Sequence, residues 1–285
     1  MTGKRRLWLV VNDASGSNDT EAVATLEQSC HGAGLALERI VRFPEQPLPT
    51  AAGLDDAGIG LVAVFAGDGT VNALVNGLAG WGGAVLVLPG GTMNLLFHRL
   101  HGERETDEVI RQVAAGKAMP ARPGVIACRG GTALADLLAG PGTRWYEVRE
   151  AMREADVLAV AGSAAQALGE TLGTPGIACR EPAVGREEGY PLVMLTPTGE
   201  GIRVCGFYAE TPGEFLEGGW ALVRRRFREG PHDDLGTVER IALASTAGEP
   251  FGVLIDGEKA ESPAQEEFRL VRCGVDLLAT QADGR

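Results

Sequence analysis

The residues best suited to chemistry form a turn, Gly67-Asp68-Gly69-Thr70, set between an apolar run and an amphipathic stretch. Such a turn can hold an anion. Ile59 to Phe65 is rich in β-branched and aromatic residues and predicts a strand buried on both faces. Val71, Leu74, Val75 and Leu78 recur at i, i+3, i+4 and i+7, predicting a helix with Asn72 and Asn76 off its apolar face. Asp68 and Thr70 are candidate caps for that helix. The two glycines allow positive φ and close approach of a ligand, and the first N–H groups of the helix suit a phosphate. An ordinary capped strand-to-helix turn would use the same four residues, so the tetrapeptide alone does not decide.

Two companion turns strengthen the case. Leu7 to Val11 predicts a first buried strand that ends in Asn12-Asp13-Ala14-Ser15-Gly16-Ser17, and Ala84 to Leu88 predicts another that ends in Pro89-Gly90-Gly91-Thr92-Met93-Asn94. Between them lie further elements. Asn18 with Glu21 is a capping pair for a helix with the stripe Val23, Leu26, Cys30, which Gly32 or Gly34 stops. Leu35 to Val41 reads as a strand and Ala51 to Ala57 as a short helix. The alternation is β-α-β-α-β-α-β, the pattern of a parallel sheet with crossovers, in which ligands bind beyond the carboxyl ends of strands. Ser15-Gly16, Gly67 to Thr70 and Gly91-Thr92 with Asn94 are therefore expected on one rim, as a phosphate or nucleotide site.

After a helix from Thr106 to Ala115 the character changes. Beyond Pro120, short apolar runs alternate with turn residues: Gly124 to Cys128, Ile177 to Cys179, Leu192 to Leu195, Ile202 to Tyr208, Ile241 to Ala244, Phe251 to Ile255 and Phe268 to Val271. That spacing predicts an antiparallel sandwich or barrel, interrupted by a helical stretch from Thr143 to Leu168. Asp256-Gly257, between an apolar run and a polar one, is a type I′ hairpin signal. A chain of 285 residues has room for two such domains.

Charge and cysteine content exclude several classes. The net charge of −12 opposes nucleic-acid binding and gives no general attraction to anionic lipid. The local exceptions are Lys4-Arg5-Arg6 and Arg224-Arg225-Arg226 with Arg228. Five scattered cysteines without a Cys-x-x-Cys pair indicate neither a disulfide framework nor a zinc site, which fits a reducing cytoplasm. His98 and His101 read as a solvated pair. Leu7 to Val11 meets Asn12 and Asp13 too soon for a signal peptide, and no apolar run nears the roughly 20 residues that span a bilayer. Membrane contact is expected to be peripheral.

These blocks resemble a known family. Asn12 to Ser17 is similar to Asn-Pro-x-Ser-Gly, Ala66 to Leu78 to Gly-Gly-Asp-Gly-Thr-x-Asn-Glu-x-x-Asn-Gly-Leu, and Leu88 to Asn94 to Leu-Pro-x-Gly-Thr-x-Asn. Together they resemble the diacylglycerol kinase catalytic-domain family, which includes bacterial lipid kinases, sphingosine kinases and ceramide kinases. The resemblance implies a three-layer α/β nucleotide-binding domain with a parallel sheet, related to NAD kinase and phosphofructokinase, over residues 1–119. It implies an antiparallel β-sandwich substrate domain over 120–272, and allows 273–285 to return to the first domain. It implies ATP and Mg²⁺ as cofactors, with the nucleotide held by Asn12, Ser15, Gly16, Gly67, Asp68, Gly69, Thr70, Asn72, Gly91, Thr92 and Asn94. Asp256 becomes the base and Asp68 a second catalytic residue. No metal ligands are assigned. The implied activity is ATP-dependent transfer of the γ-phosphate to a hydroxyl of diacylglycerol or a related lipid, by a cytoplasmic protein meeting the inner face of the membrane transiently, with a homodimer left open.

Four positions depart from the pattern: Ala66 for the first glycine, Asp13 for proline, Ala73 for glutamate and Leu95 for aspartate. Ala66, Ala73 and Leu95 motivate a catalytically impaired nucleotide- or lipid-binding protein as one alternative. The shared Gly-Asp-Gly-Thr block motivates an NAD kinase-like enzyme as another, against which the Ser15-Gly16 turn and Leu88-Pro89 weigh.

Overall fold

The structure, a computed structural model, describes residues 5–12, 20–91, 93–144, 176–208 and 231–281. The chain divides into two compact units, Met1–Val125 with Arg272–Arg285, and Ile126–Val271. In chain order the first unit begins with β1 (Arg6–Asn12), α1 (Thr20–Ala33), β2 (Ala36–Phe43), α2 (Ala51–Asp56), β3 (Leu61–Ala66), α3 (Asp68–Gly77) and β4 (Ala84–Pro89). It continues with α4 (Leu95–His101), α5 (Thr106–Ala114) and β5 (Met119–Ala121). There follow β6 (Gly124–Cys128), β7 (Gly131–Ala133), β8 (Leu137–Ala139), a 3-10 turn at Pro141–Arg144, β9 (Ile177–Glu181), β10 (Leu192–Pro197) and β11 (Ile202–Phe207). The last strands are β12 (His232–Val238), β13 (Arg240–Ser245), β14 (Phe251–Ile255), β15 (Glu258–Ser262), β16 (Gln265–Arg272) and β17 (Asp276–Ala279).

The first unit is an α/β domain on a six-stranded sheet ordered β2-β1-β3-β4-β17-β5. All its pairs are parallel except β17 with β5. Residues Leu61 to Ala66 are buried without alternation, as a strand covered on both faces requires. Right-handed crossovers put α1 on one face and α2 and α3 on the other, because the chain moves from β1 to β2 in one direction and from β2 through β3 to β4 in the opposite one. Two bonds tie neighbours on each side: Ser29 Oγ of α1 donates to Asp107 of α5 (2.6 Å), and Trp81 Nε1 donates to Asp55 of α2 (2.9 Å). The stop of α1 falls at Gly34, where φ is +87° and the Leu35 N–H closes back on the Cys30 carbonyl.

The second unit is an antiparallel sandwich, with sheets ordered β12-β11-β10-β8-β14-β15 and β7-β6-β16-β13-β9. Alternate residues of both sheets, among them Leu137, Val193, Val204, Val253, Ile126, Leu243 and Phe268, meet in one buried core. The sheet face turned away from the core also carries apolar residues: Leu138, Met194, Cys205 and Leu254 are among a second buried cluster on the other face of the first sheet. The helical stretch expected from Thr143 to Leu168 lies, beyond Arg144, outside the described residues.

Candidate functional site

The order β2-β1-β3-β4 has a reversal in it. The chain leaves β1 for β2 on one side and crosses back to β3 on the other, so the carboxyl ends of β1 and β3 feed connections that depart in opposite directions. Such a point is where open α/β sheets take ligands. Asn12 is the last residue of β1, and its Nδ2 donates to Thr70 Oγ1 at 2.8 Å, joining the β1 end to the first turn of α3. Ser15 and Gly16 lie outside the described residues, as does Thr92.

The start of α3 corrects two details. Its N-cap is Gly67, with φ −71° and ψ 165°, and no side chain caps it; Asp68 and Thr70 are instead inside the first turn. Gly67 and Gly69 therefore do not take positive φ, since Gly69 is helical and Gly67 is extended. The Asp68 side chain reaches across, its Oδ1 accepting from the Leu95 N–H at the start of α4 (3.2 Å). Val71, Leu74, Val75 and Leu78 are buried. Asn72 and Asn76 point away from that stripe and share a bond, Asn76 Nδ2 to Asn72 Oδ1 at 2.9 Å.

The loop after β4 is pressed against the loop after β3. A Cβ on Gly90 would lie 2.4 Å from the Ala66 nitrogen, and one on Gly91 would lie 2.7 Å from the Gly67 Cα. Both glycines are thus required by close backbone approach. Asn94 ends this loop in the left-handed region (φ 51°, ψ 38°), with Gly91 N–H donating to its Oδ1 (2.8 Å) and its Nδ2 donating to the Gly91 carbonyl (2.9 Å). Three of the four departures now have places. Ala66 pairs with Pro89 in the extended ladder and needs no positive φ; Ala73 is exposed; Leu95 contributes its main chain to Asp68.

Asp256 belongs to the second unit, in the two-residue turn between β14 and β15. Its φ is +48° and that of Gly257 is +90°, the pairing a type I′ turn needs. The carboxylate is only 7% exposed and is gripped by main chain: Leu134 N–H donates to Oδ2 (2.7 Å), while Ala135 and Asp136 N–H donate to Oδ1 (2.8 and 3.1 Å). Every one of these partners is a donor, matching an ionised carboxylate, which only accepts. The segment 134–136 carries no local sequence signal for this, because its partner is 120 or more residues away.

The histidines require a correction. His98 is exposed, but His101 is fully buried, with Nδ1 3.0 Å from Thr280 Oγ1, and burial pulls its pKa from 6.5 down to about 4. The i, i+3 spacing puts them on nearby positions of α4, and the packing of α4 against β4 and β17 separates their environments. Among the described residues the cysteines are all free, no group of three or more His, Cys, Asp or Glu could hold a metal ion, and no helix is long and apolar enough to cross a membrane.

The model for the diacylglycerol kinase catalytic domain matches residues 6–126. No curated protein matches the chain. Among solved structures, a diacylglycerol kinase from Bacillus anthracis str. Sterne is similar at 18% identity over 99% of this chain and 100% of its own, with a TM-score of 0.62. Two further chains from that organism are similar at 18% and 19% identity, with TM-scores of 0.62 and 0.59, covering 99% of this chain and 98% and 99% of theirs.

Proposed function

Residues 6–126 belong to the diacylglycerol kinase catalytic-domain family, and on that premise we propose that the chain is an ATP-dependent lipid kinase, transferring the γ-phosphoryl group to a hydroxyl of diacylglycerol or a related lipid. The observation that carries this reading is the Asn12–Thr70 bond at the sheet's switch point, which ties the end of β1 to the first turn of α3.

That rim suits phosphates. It offers amides, a hydroxyl and the uncapped N-terminus of a ten-residue helix, with the third loop locked alongside through Gly90 and Gly91. Phosphoryl transfer asks chiefly for in-line positioning and for stabilisation of charge on the phosphoryl oxygens, and in a chain without a Walker A lysine, oriented main-chain N–H groups do more of it. Mg²⁺, arriving on the phosphates, would neutralise their charge, with Asp68 the carboxylate of this rim able to serve it. Asp256 takes the proton from the lipid hydroxyl as its oxygen bonds to the γ-phosphorus, the bond to the bridging oxygen breaks, and ADP leaves. A lipid acceptor implies transient contact with a membrane surface at the cytoplasmic side.

Purified full-length chain, labelled ATP with Mg²⁺, and vesicles carrying diacylglycerol, ceramide or a sphingoid base test this directly, with NAD as a soluble acceptor. Label in one lipid, reduced on the order of 100-fold or more by Asp256→Asn, is the expected result. No transfer to any lipid, with Asp256→Asn indistinguishable, overturns it; label on NAD establishes the NAD kinase alternative.

A further inference from the structure

The second sheet of the sandwich carries a groove on its outer face. On β16 Phe268 enters the core, so Gln265, Glu267, Arg269 and Val271 point away from it; on β6 Ile126 enters the core and Ala127 points away. These outward residues, with Arg129 just beyond β6, line a groove of about 770 Å³, within the roughly 300–1,000 Å³ that small-ligand sites occupy. β13 lies on the other side of β16 and sets Arg240 opposite Arg269 in the ladder. Neighbouring strands stand about 5 Å apart, so Arg129, Arg269 and Arg240 span roughly 10 Å across β6, β16 and β13.

The acids of this groove are engaged, whereas two of its three bases are not. Glu266, 9% exposed, accepts from the Ser262 hydroxyl and from the Arg129 N–H. Glu267 pairs with Arg269 Nε at 2.8 Å, which fixes that guanidinium and leaves its terminal nitrogens as donors. Arg129 and Arg240 are exposed, and among the described residues their guanidiniums have neither a hydrogen bond nor an ion pair. Three guanidiniums against two carboxylates leave a positive excess, in a chain whose net charge is −12.

We propose that this groove is a phosphate-binding site, with Arg269 and Arg240 closing on one phosphate group from adjacent strands and Arg129 reaching it from β6. Guanidinium suits the task because its planar N–H pairs match two phosphate oxygens at once. The ligand is a phosphate ester, carried by a soluble small molecule or by the headgroup of an anionic lipid. Val271, 40% exposed, offers an apolar contact to the carbon side of such an ester. All these residues belong to the second unit and serve no step of the phosphoryl transfer, whose nucleotide rim lies in the first.

The test uses the full chain with ¹⁵N-labelled arginine and no nucleotide, following by NMR the Arg269 Nε–H signal, which is assigned by its loss in Arg269→Lys. Glycerol 3-phosphate and inorganic phosphate, each compared with chloride at equal ionic strength, are expected to shift it saturably. Arg240→Gln and Arg129→Gln should each weaken that binding on the order of tenfold, since each removes a charged donor. In a second arm the chain is sedimented with vesicles of phosphatidylcholine, with or without phosphatidylglycerol, in the absence of diacylglycerol and ATP. A saturable shift with the soluble phosphates supports a small-molecule ligand. Pelleting confined to phosphatidylglycerol vesicles, and reduced on the order of tenfold when Arg129 and Arg240 are both glutamine, supports a lipid headgroup. A signal that moves no further with either phosphate than with chloride, together with pelleting that the two substitutions leave unchanged, overturns the site. Soluble-phosphate binding that is equally tight in wild type, Arg240→Gln and Arg129→Gln overturns it as well. Neither arm contains a phosphoryl donor, so these outcomes are independent of whether the chain phosphorylates a lipid.

Discussion

Asn94 and Asp256 are the described non-glycine residues held at positive φ, and each stabilises that conformation with its own side chain. Asparagine tolerates the left-handed region better than most residues, and here it also closes a ring with both main-chain groups of Gly91. Asn94→Ala loses both bonds and keeps the strained φ, so it should destabilise the chain by about 2–3 kcal/mol in urea denaturation, whereas Asn94→Gly should cost about 1 kcal/mol less. His101 makes a different prediction, about pH. Buried and neutral, it titrates near 4 in the folded chain against an ordinary 6.5, so the unfolded chain binds the extra proton in that window. The associated stability is present above pH 6.5 and is lost as pH falls towards 4, to a limit of about 3 kcal/mol. Urea midpoints for wild type and His101→Gln should therefore converge with acidification between those values. The carboxylates of Asp233 and Asp234, held low by Tyr190 and Arg203 respectively, act at still lower pH and are common to both proteins.

At the scale of elements, the candidate site is a matter of two loops sharing one space. Gly90→Ala forces the loops after β3 and β4 apart, because its Cβ meets the backbone of Ala66 and no flexible side chain. It should cost about 1–3 kcal/mol and raise KM for ATP roughly tenfold, since the rim is displaced with it. Gly77→Ala is the matched control: at the exposed end of α3 its Cβ meets nothing within 4 Å, so stability should rise by about 0.4–1 kcal/mol with KM unaltered. The buried central strands β1, β3 and β4 and the stripe of α3 were legible because each is a continuous local pattern. Strands such as β12 (HDDLGTV) and β15 (EKAES) were not, since both are polar edges of their sheet, and β8 is only three residues long. Within the site, the loop residues could be picked out by type and spacing, but neither the grip of residues 134–136 on Asp256 nor the lack of a side-chain cap on α3 could. The first is set by pairing across 120 residues; the second by helix ends, which shift by a residue or two against any pattern.

For the molecule as a whole, the first unit needs both ends of the chain. β17 lies between β4 and β5 in its sheet, so the sheet that carries the Asn12, Gly67 and Asn94 loops cannot close until residues 276–279 have been made. Cys273, Val275, Leu277 and Leu278 are all buried, and Arg122 bonds Asp276 at 2.7 Å beside them. Burying the last three apolar side chains contributes on the order of 5–8 kcal/mol, comparable with the entire stability of a typical domain. Without them β4 becomes an open edge with an unpaired row of main-chain groups and an uncovered apolar face, which favours association with other chains. A chain ending at residue 271 should accordingly lose the cooperative unfolding of its first unit and elute as aggregates in gel filtration, while the second unit, whose two sheets share their own core, keeps its β-type circular dichroism. A monomeric truncated chain with an unchanged melting profile and undiminished ATP binding would show that β17 is dispensable and that the loops are held by β1, β3 and β4 alone.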